Sequence, residues 1–244
     1  MRTRRLALTI YMSAIYAALS YLPGFPVVGA ESVKIGFISG IAPIFGFLLG
    51  PWLGFLSCFI GASINRILSG ANPFQWLTLP TTPISAFTAG ALVRVYFKNM
   101  KGWHISASIL TILIAIWYLT PIGRAILYFP ILHWIALILA ILFRNKLPMI
   151  YRDIGRVRLT IYIAVVSFSA TMTAHMYGTL IFILSTYLLI LKVQDLTSLL
   201  TSLIPVVAVE RLTFTAIATI LGAPIILVLR KHMDIDSLRT THSI

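Results

Sequence analysis

From residue 6 to residue 229 the chain is a succession of eight apolar runs joined by short polar connections. The runs cover residues 6–22, 35–49, 52–68, 79–93, 103–119, 122–143, 159–190 and 203–229. Several have 17 or more residues, enough for a helix to cross a hydrocarbon core of about 30 Å. A backbone in lipid must satisfy its own hydrogen bonds, which favours helices over open strands. The expected fold is therefore an all-α integral membrane protein, a polytopic helix bundle of about eight spans forming one transmembrane domain over residues 1–244. Composition agrees. Charged residues make up 10% of the chain and mean hydropathy is +0.96, whereas soluble domains carry about 25% charged residues.

The net charge of +13 invites a nucleic-acid reading, which the distribution of the cations opposes. When alternate connections are assigned to one side, that side holds 14 of the 19 Lys and Arg: Arg2, Arg4, Arg5, Arg94, Lys98, Lys101, Arg144, Lys146, Arg152, Arg156, Arg158, Arg230, Lys231 and Arg239. Lys34, Arg66, Arg124, Lys192 and Arg211 fall elsewhere. This is the positive-inside pattern, and it puts both termini in the cytoplasm of a multi-pass plasma-membrane protein. Attraction to anionic lipid follows as a secondary effect. Residues 1–20 have the basic start of a signal peptide, but removing them would spoil the alternation, so they are read as the first span. Residues 159–190 are too long for one crossing, roughly 48 Å at 1.5 Å per residue. They must tilt, project beyond the bilayer or break, with Ala174, His175, Met176, Tyr177 and Gly178 as the weak point; one span with an irregular outer end is expected.

The densest local pattern lies in residues 36–66, GFISGIAPIFGFLLGPWLGFLSCFIGASINR. Small residues four apart allow close helix contact in lipid, and Gly50-Pro51 marks a turn between two helices. The stretch ends on Asn65 and Arg66, polar where lipid contact is costly. Arg66 can hold an anionic or carbonyl group on a ligand with its planar donor fork, or reach to headgroups. The following loop contributes Asn72, Gln75 and Trp76, amides beside an indole that suit a flat heteroaromatic ligand, although an interfacial Trp is also an ordinary anchor. Glu210 and Arg211 lie inside the last run, where charges face a cavity or a partner; they line a site or form an interhelical ion pair. His175 is a ligand contact or a bonded core histidine, and His133 reads as packing without a partner. Glu31 and Lys34 belong to a lid or to a solvated loop.

Other chemistries have no support in the sequence. There is no HExxH or CxxC spacing for a metal, no phosphate-cradling GxxxxGK[ST] loop and no GxSxG nucleophile turn. The single cysteine, Cys58, excludes an internal disulfide. With six acidic residues scattered along the chain, binding or transport is expected rather than catalysis, with no catalytic residues, metal or cofactor.

In this order the motifs resemble the substrate-binding membrane subunits (S components) of energy-coupling-factor (ECF) vitamin transporters. Ala14 and Ala18, in AIYAA, match a small-xxx-small motif of the first helix; residues 22–34 match a loop over the ligand; FGFLLGPWLGFLSCFIGASINR and PISAFTAGALVR match the helices that follow. The resemblance implies a six-helix core over residues 6–97 and 159–230, with an inserted hairpin at 103–143. It implies ligand contacts at Glu31, Asn65, Arg66, Asn72, Gln75, Trp76, His175, Tyr177, Glu210 and Arg211, and docking of a coupling subunit at Ala14 and Ala18. The implied function is capture of a vitamin or related small molecule from outside, with ATP used by separate ATPase subunits. The His-rich start of the family's metal-transporting branch is absent, which points away from nickel and cobalt. Two other readings compete: a stand-alone secondary transporter, although no internal inverted repeat is evident, and a membrane scaffold whose polar residues only pair helices.

Overall fold

A computed structural model describes residues 2–22, 24–27, 30–97, 99–188 and 193–232, and nearly all of them are helical. The helices are α1 (Arg2–Leu19), α2 (Ile38–Leu49), α3 (Pro51–Ser69), α4 (Pro73–Leu77), α5 (Thr81–Leu92), α6 (Gly102–Leu119), α7 (Pro121–Ala125), α8 (Ile131–Leu142), α9 (Arg156–Leu188) and α10 (Val193–His232). A 3₁₀ turn, Leu147–Tyr151, joins α8 to α9. Two short antiparallel hairpins complete the described structure: β1 (Gly24–Val27) with β2 (Ala30–Gly36), and β3 (Tyr96–Phe97) with β4 (Met100–Lys101). The fold is all-α. Four helices, Pro51–Ser69, Gly102–Leu119, Arg156–Ser185 and Asp195–Arg230, are long and apolar enough to cross a membrane.

The glycine-dense stretch forms α2 and α3, and its glycines are spent on contact. Gly46 meets α5 so closely that a Cβ there would collide with the Ala86 carbonyl and the Gly90 amide. A Cβ at Gly61 would sit 2.7 Å from the Ser13 carbonyl oxygen of α1. The turn between them follows local chemistry. Gly50 has φ +80°, a conformation that penalises a side chain, and Pro51 opens α3 at N1, where its missing N–H costs nothing. Buried Ile44, Phe47, Leu92, Ile163, Val166 and Ile226 fill the space between α2, α5, α9 and α10. Leu110, Ile114, Trp117, Phe129, Met172 and Met176 form a second core where α6 to α8 pack on α9.

Two expectations about the helices are corrected. Residues 122–143 are not one helix: α7 ends at Ala125, and α8 starts only after Pro130. Residues 159–190 form a single helix rather than two: α9 runs unbroken for 33 residues, roughly 50 Å. Every residue from 165 to 174 is buried. The last helix starts at Val193 rather than 203, which extends the α9–α10 pair by about three turns. With α2, α5 and α8 at 12 residues each, the eight apolar runs correspond to eight helices of at least 12 residues, of which four have full membrane length.

Candidate ligand-binding site

The C-terminal end of α3, the N-terminal end of α5 and the central turns of α9 and α10 meet around a cavity of about 390 Å³. The β1–β2 hairpin borders it through Gly24 and Gly36, and the early turns of α10 through Leu200 and Leu203. The wall is rich in hydroxyls, including Ser20, Ser39, Ser69, Thr81, Thr82 and Ser85. Phe74, Phe129 and Phe182 give it an apolar side. Tyr16 is anchored on it by a 2.5 Å hydrogen bond with Thr82 Oγ1.

Of the residues singled out in the sequence, Asn65, Arg66, Gln75, His175, Glu210 and Arg211 line this cavity together. They come from four helices separated by up to 146 residues (65 to 211). Glu210 and Arg211 are 6% and 3% exposed, and the ion pair they form is with each other within α10, not between helices. They face the cavity, and Arg211 Nη2 lies 2.8 Å from Glu210 Oε1 in ionic contact outside hydrogen-bond geometry. The Arg211 guanidinium also stacks 4.9 Å over the Phe214 ring.

Asn72, Trp76 and Tyr177 are not among the lining residues. Asn72 and Gln75 form a reciprocal capping box on α4: the Gln75 N–H donates to Asn72 Oδ1 at 2.9 Å, and the Asn72 N–H to Gln75 Oε1 at 2.8 Å. Trp76 is half-exposed, and Tyr177 donates to the Leu77 carbonyl at 3.2 Å, tying α9 to α4. The side chains of Glu31 and Lys34 lie outside the described residues. Ala14 and Ala18 are exposed on α1.

His133, read from sequence as partnerless packing, has a partner: its Nε2 lies 3.1 Å from His175 Nδ1. The two rings stack with centroids 5.2 Å apart, and Phe129, itself stacked on Trp117, lies over both at 6.2 Å. His133 sits on α8 and His175 on α9, so only the tertiary packing brings them together. Several buried polar atoms have no hydrogen-bond partner among the described residues, including Arg66 Nη1, Arg211 Nε, Ser85 Oγ and His133 Nδ1. Arg66, Arg211 and Ser85 line the cavity and His133 lies behind it; such atoms are unusual, because buried polar groups are nearly always paired. No group of three or more His, Cys, Asp or Glu among the described residues is arranged to hold a metal.

The fold and the site define a mainly helical protein with helices of membrane length and a cavity lined by both polar and apolar groups. The chain is 29% identical over 219 residues to Uncharacterized protein MJ0923 of Methanocaldococcus jannaschii, an alignment covering 88% of this chain and 69% of that protein. No family model matches the chain, and no solved structure matches it.

Proposed function

We propose that this chain is the substrate-binding membrane subunit of an ECF-type importer, capturing a vitamin-like small molecule from outside and passing it on with separate coupling and ATPase subunits. The observation that carries the reading is the cavity at one end of the bundle, walled by hydroxyls, ring faces and incompletely satisfied cations. A ligand pocket of a few hundred Å³ with a few convergent polar groups is the usual form of a small-molecule site. The role of this chain is binding; ATP chemistry resides in its partners.

In this reading the eight helices of 12 or more residues all contribute to one bilayer domain, with the cavity end outside and both termini in the cytoplasm. The connections bearing Arg94, Arg144, Lys146, Arg152 and Arg156 belong to the opposite end, as the positive-inside rule requires. Helices α1 to α5 with α9 and α10 correspond to the family core, and α6 to α8 to the insertion. That insertion does more than decorate the bundle, since it supplies Phe129 to the cavity and His133 behind it. The exposed pair Ala14 and Ala18 on α1, a helix packed mainly against α3, suits docking of the coupling subunit.

Gentle purification of the full chain, followed by small-molecule extraction and a pull-down with a coupling subunit, tests the reading. A bound vitamin-like compound together with coupling-subunit capture is expected, the latter lost in Ala14→Leu. A chain that carries no small molecule and captures no coupling subunit sinks it.

A further inference from the structure

The chemistry facing the cavity defines a class of ligand, on the assumption that the cavity binds one as set out above. Its charged lining residues are Arg66, Arg211 and Glu210. Glu210 is engaged by Arg211, so Arg66 has no carboxylate among the described residues. In the hairpin bordering the cavity, Glu31 and Lys34 have formal charges that cancel. One positive charge is left over. Arg66 is partly buried, a cation drawn partly out of water at membrane depth is costly unless something pairs with it, and Arg66 Nη1 and Arg211 Nε are both buried donors without an acceptor.

The histidine pair places both of its protons within the protein. The Thr179 hydroxyl donates to the His175 carbonyl at 3.0 Å, which leaves its oxygen as an acceptor for His175 Nε2–H at the longer distance of 3.4 Å. With that proton on Nε2, His175 Nδ1 accepts from His133 Nε2–H at 3.1 Å. His133 Nδ1 is then a bare lone pair, in keeping with its lack of a partner; the reverse tautomers would bury an unpaired N–H there. His133 thus fixes the tautomer of His175, whose Nε2–H is taken by Thr179 at the cavity wall.

Guanidinium and hydroxyl groups dominate the polar wall, and its one described carboxylate is already taken. We propose that the cavity takes a small organic anion, its carboxylate or phosphate group bound at Arg66 with Arg211 as a further donor. The less polar body of the ligand packs against Phe74, Phe129 and Phe182.

The full chain, purified and then stripped of bound molecules, is heated with three matched sets of compounds: ring-bearing carboxylates, phosphate monoesters of similar size, and the neutral amides of the same carboxylates. Molecules extracted before stripping are read for charge by mass spectrometry. The extracted molecule is expected to be an anion. One of the two anionic sets raises the unfolding temperature, which identifies the headgroup, while the amides do not. Arg66→Gln weakens that binding roughly 10- to 100-fold, the effect of losing a charge-assisted hydrogen bond, and Arg66→Lys retains part of it. A neutral or cationic extracted molecule, amides that bind as well as their acids, or full affinity in Arg66→Gln overturns the proposal and leaves the binding reading intact. Absence of any bound molecule and of any shift with all three sets overturns both. Should Arg66→Gln fail to fold, the acid-against-amide comparison and the extracted charge, made on the unaltered chain, decide alone.

Discussion

The two ends of the bundle handle buried polar groups in opposite ways. At the end where α2 turns into α3, Arg230 Nε donates to the Ile150 carbonyl at 2.9 Å and Nη1 to the Ile154 carbonyl at 3.4 Å. Nearby, the Tyr151 hydroxyl donates to the Phe47 carbonyl at 2.6 Å, satisfying an acceptor in the last turn of α2. These polar atoms complete one another, although the Trp103 indole nitrogen at the same end is buried without a partner among the described residues. At the cavity end, Arg66, Arg211, Ser85 and His133 all carry buried atoms without a partner. Orphaned donors and acceptors in one pocket are expected of a site whose missing partners belong to a ligand. The contrast separates structural from functional polarity within one bundle and for one residue type: Arg230 against Arg66.

Four substitutions bear on that contrast. Gly46→Val removes the scaffold both ends share, because its side chain would drive α2 off the α5 backbone; a loss of about 3 kcal/mol or more is expected, seen as a collapse of the unfolding temperature or of monodisperse protein. Arg230→Met strips carbonyls at the other end of their donors and costs about 2 kcal/mol in thermal unfolding, without changing ligand binding. Tyr151→Phe costs about 1 kcal/mol and has a second signature. Burial pushes the Tyr151 phenol above its usual range, with Arg94 pulling weakly the other way. The folded protein therefore keeps that proton where the unfolded chain has lost it. The stability contributed is complete below pH about 10 and declines above it by about 1.4 kcal/mol per pH unit. Tyr151→Phe should flatten the alkaline limb of the stability profile by one proton; an unchanged limb would mean the phenol is not buried as described. Arg66→Gln is the smallest in stability, within about 0.5 kcal/mol of the parent in ligand-free protein, since no internal hydrogen bond through Nη1 is lost. If Arg66→Gln destabilises as much as Arg230→Met, the two ends do not differ and Arg66 is structural.

Much of this organisation was legible in the sequence, for local reasons. Apolar runs with few charges specify helices, and Gly50-Pro51 encodes its own turn. Arg66, His175, Glu210 and Arg211 stood out because ionisable groups in apolar runs are rare. What escaped depends on distance along the chain. The His133–His175 contact spans 42 residues, and the Tyr16–Thr82 bond 66, so neither leaves a periodic trace. The hydroxyls of the cavity wall look like ordinary Ser and Thr until α5 and α9 are placed. In the loop 70–80, Asn72 and Gln75 look alike in sequence, yet both cap α4 and only Gln75 also lines the cavity. At 174–178 α9 continues with Ala174 and Met176 buried and with His175 and Gly178 on the cavity.

The central claim is that the cavity end is unfinished until a small molecule fills it. Native mass spectrometry of the full chain, released from detergent without heating, reads this directly. A one-to-one adduct of a small organic molecule is expected on the parent protein and on Arg230→Met, and much less of it on Arg66→Gln. The same adduct on all three, or none on the parent, would contradict the account.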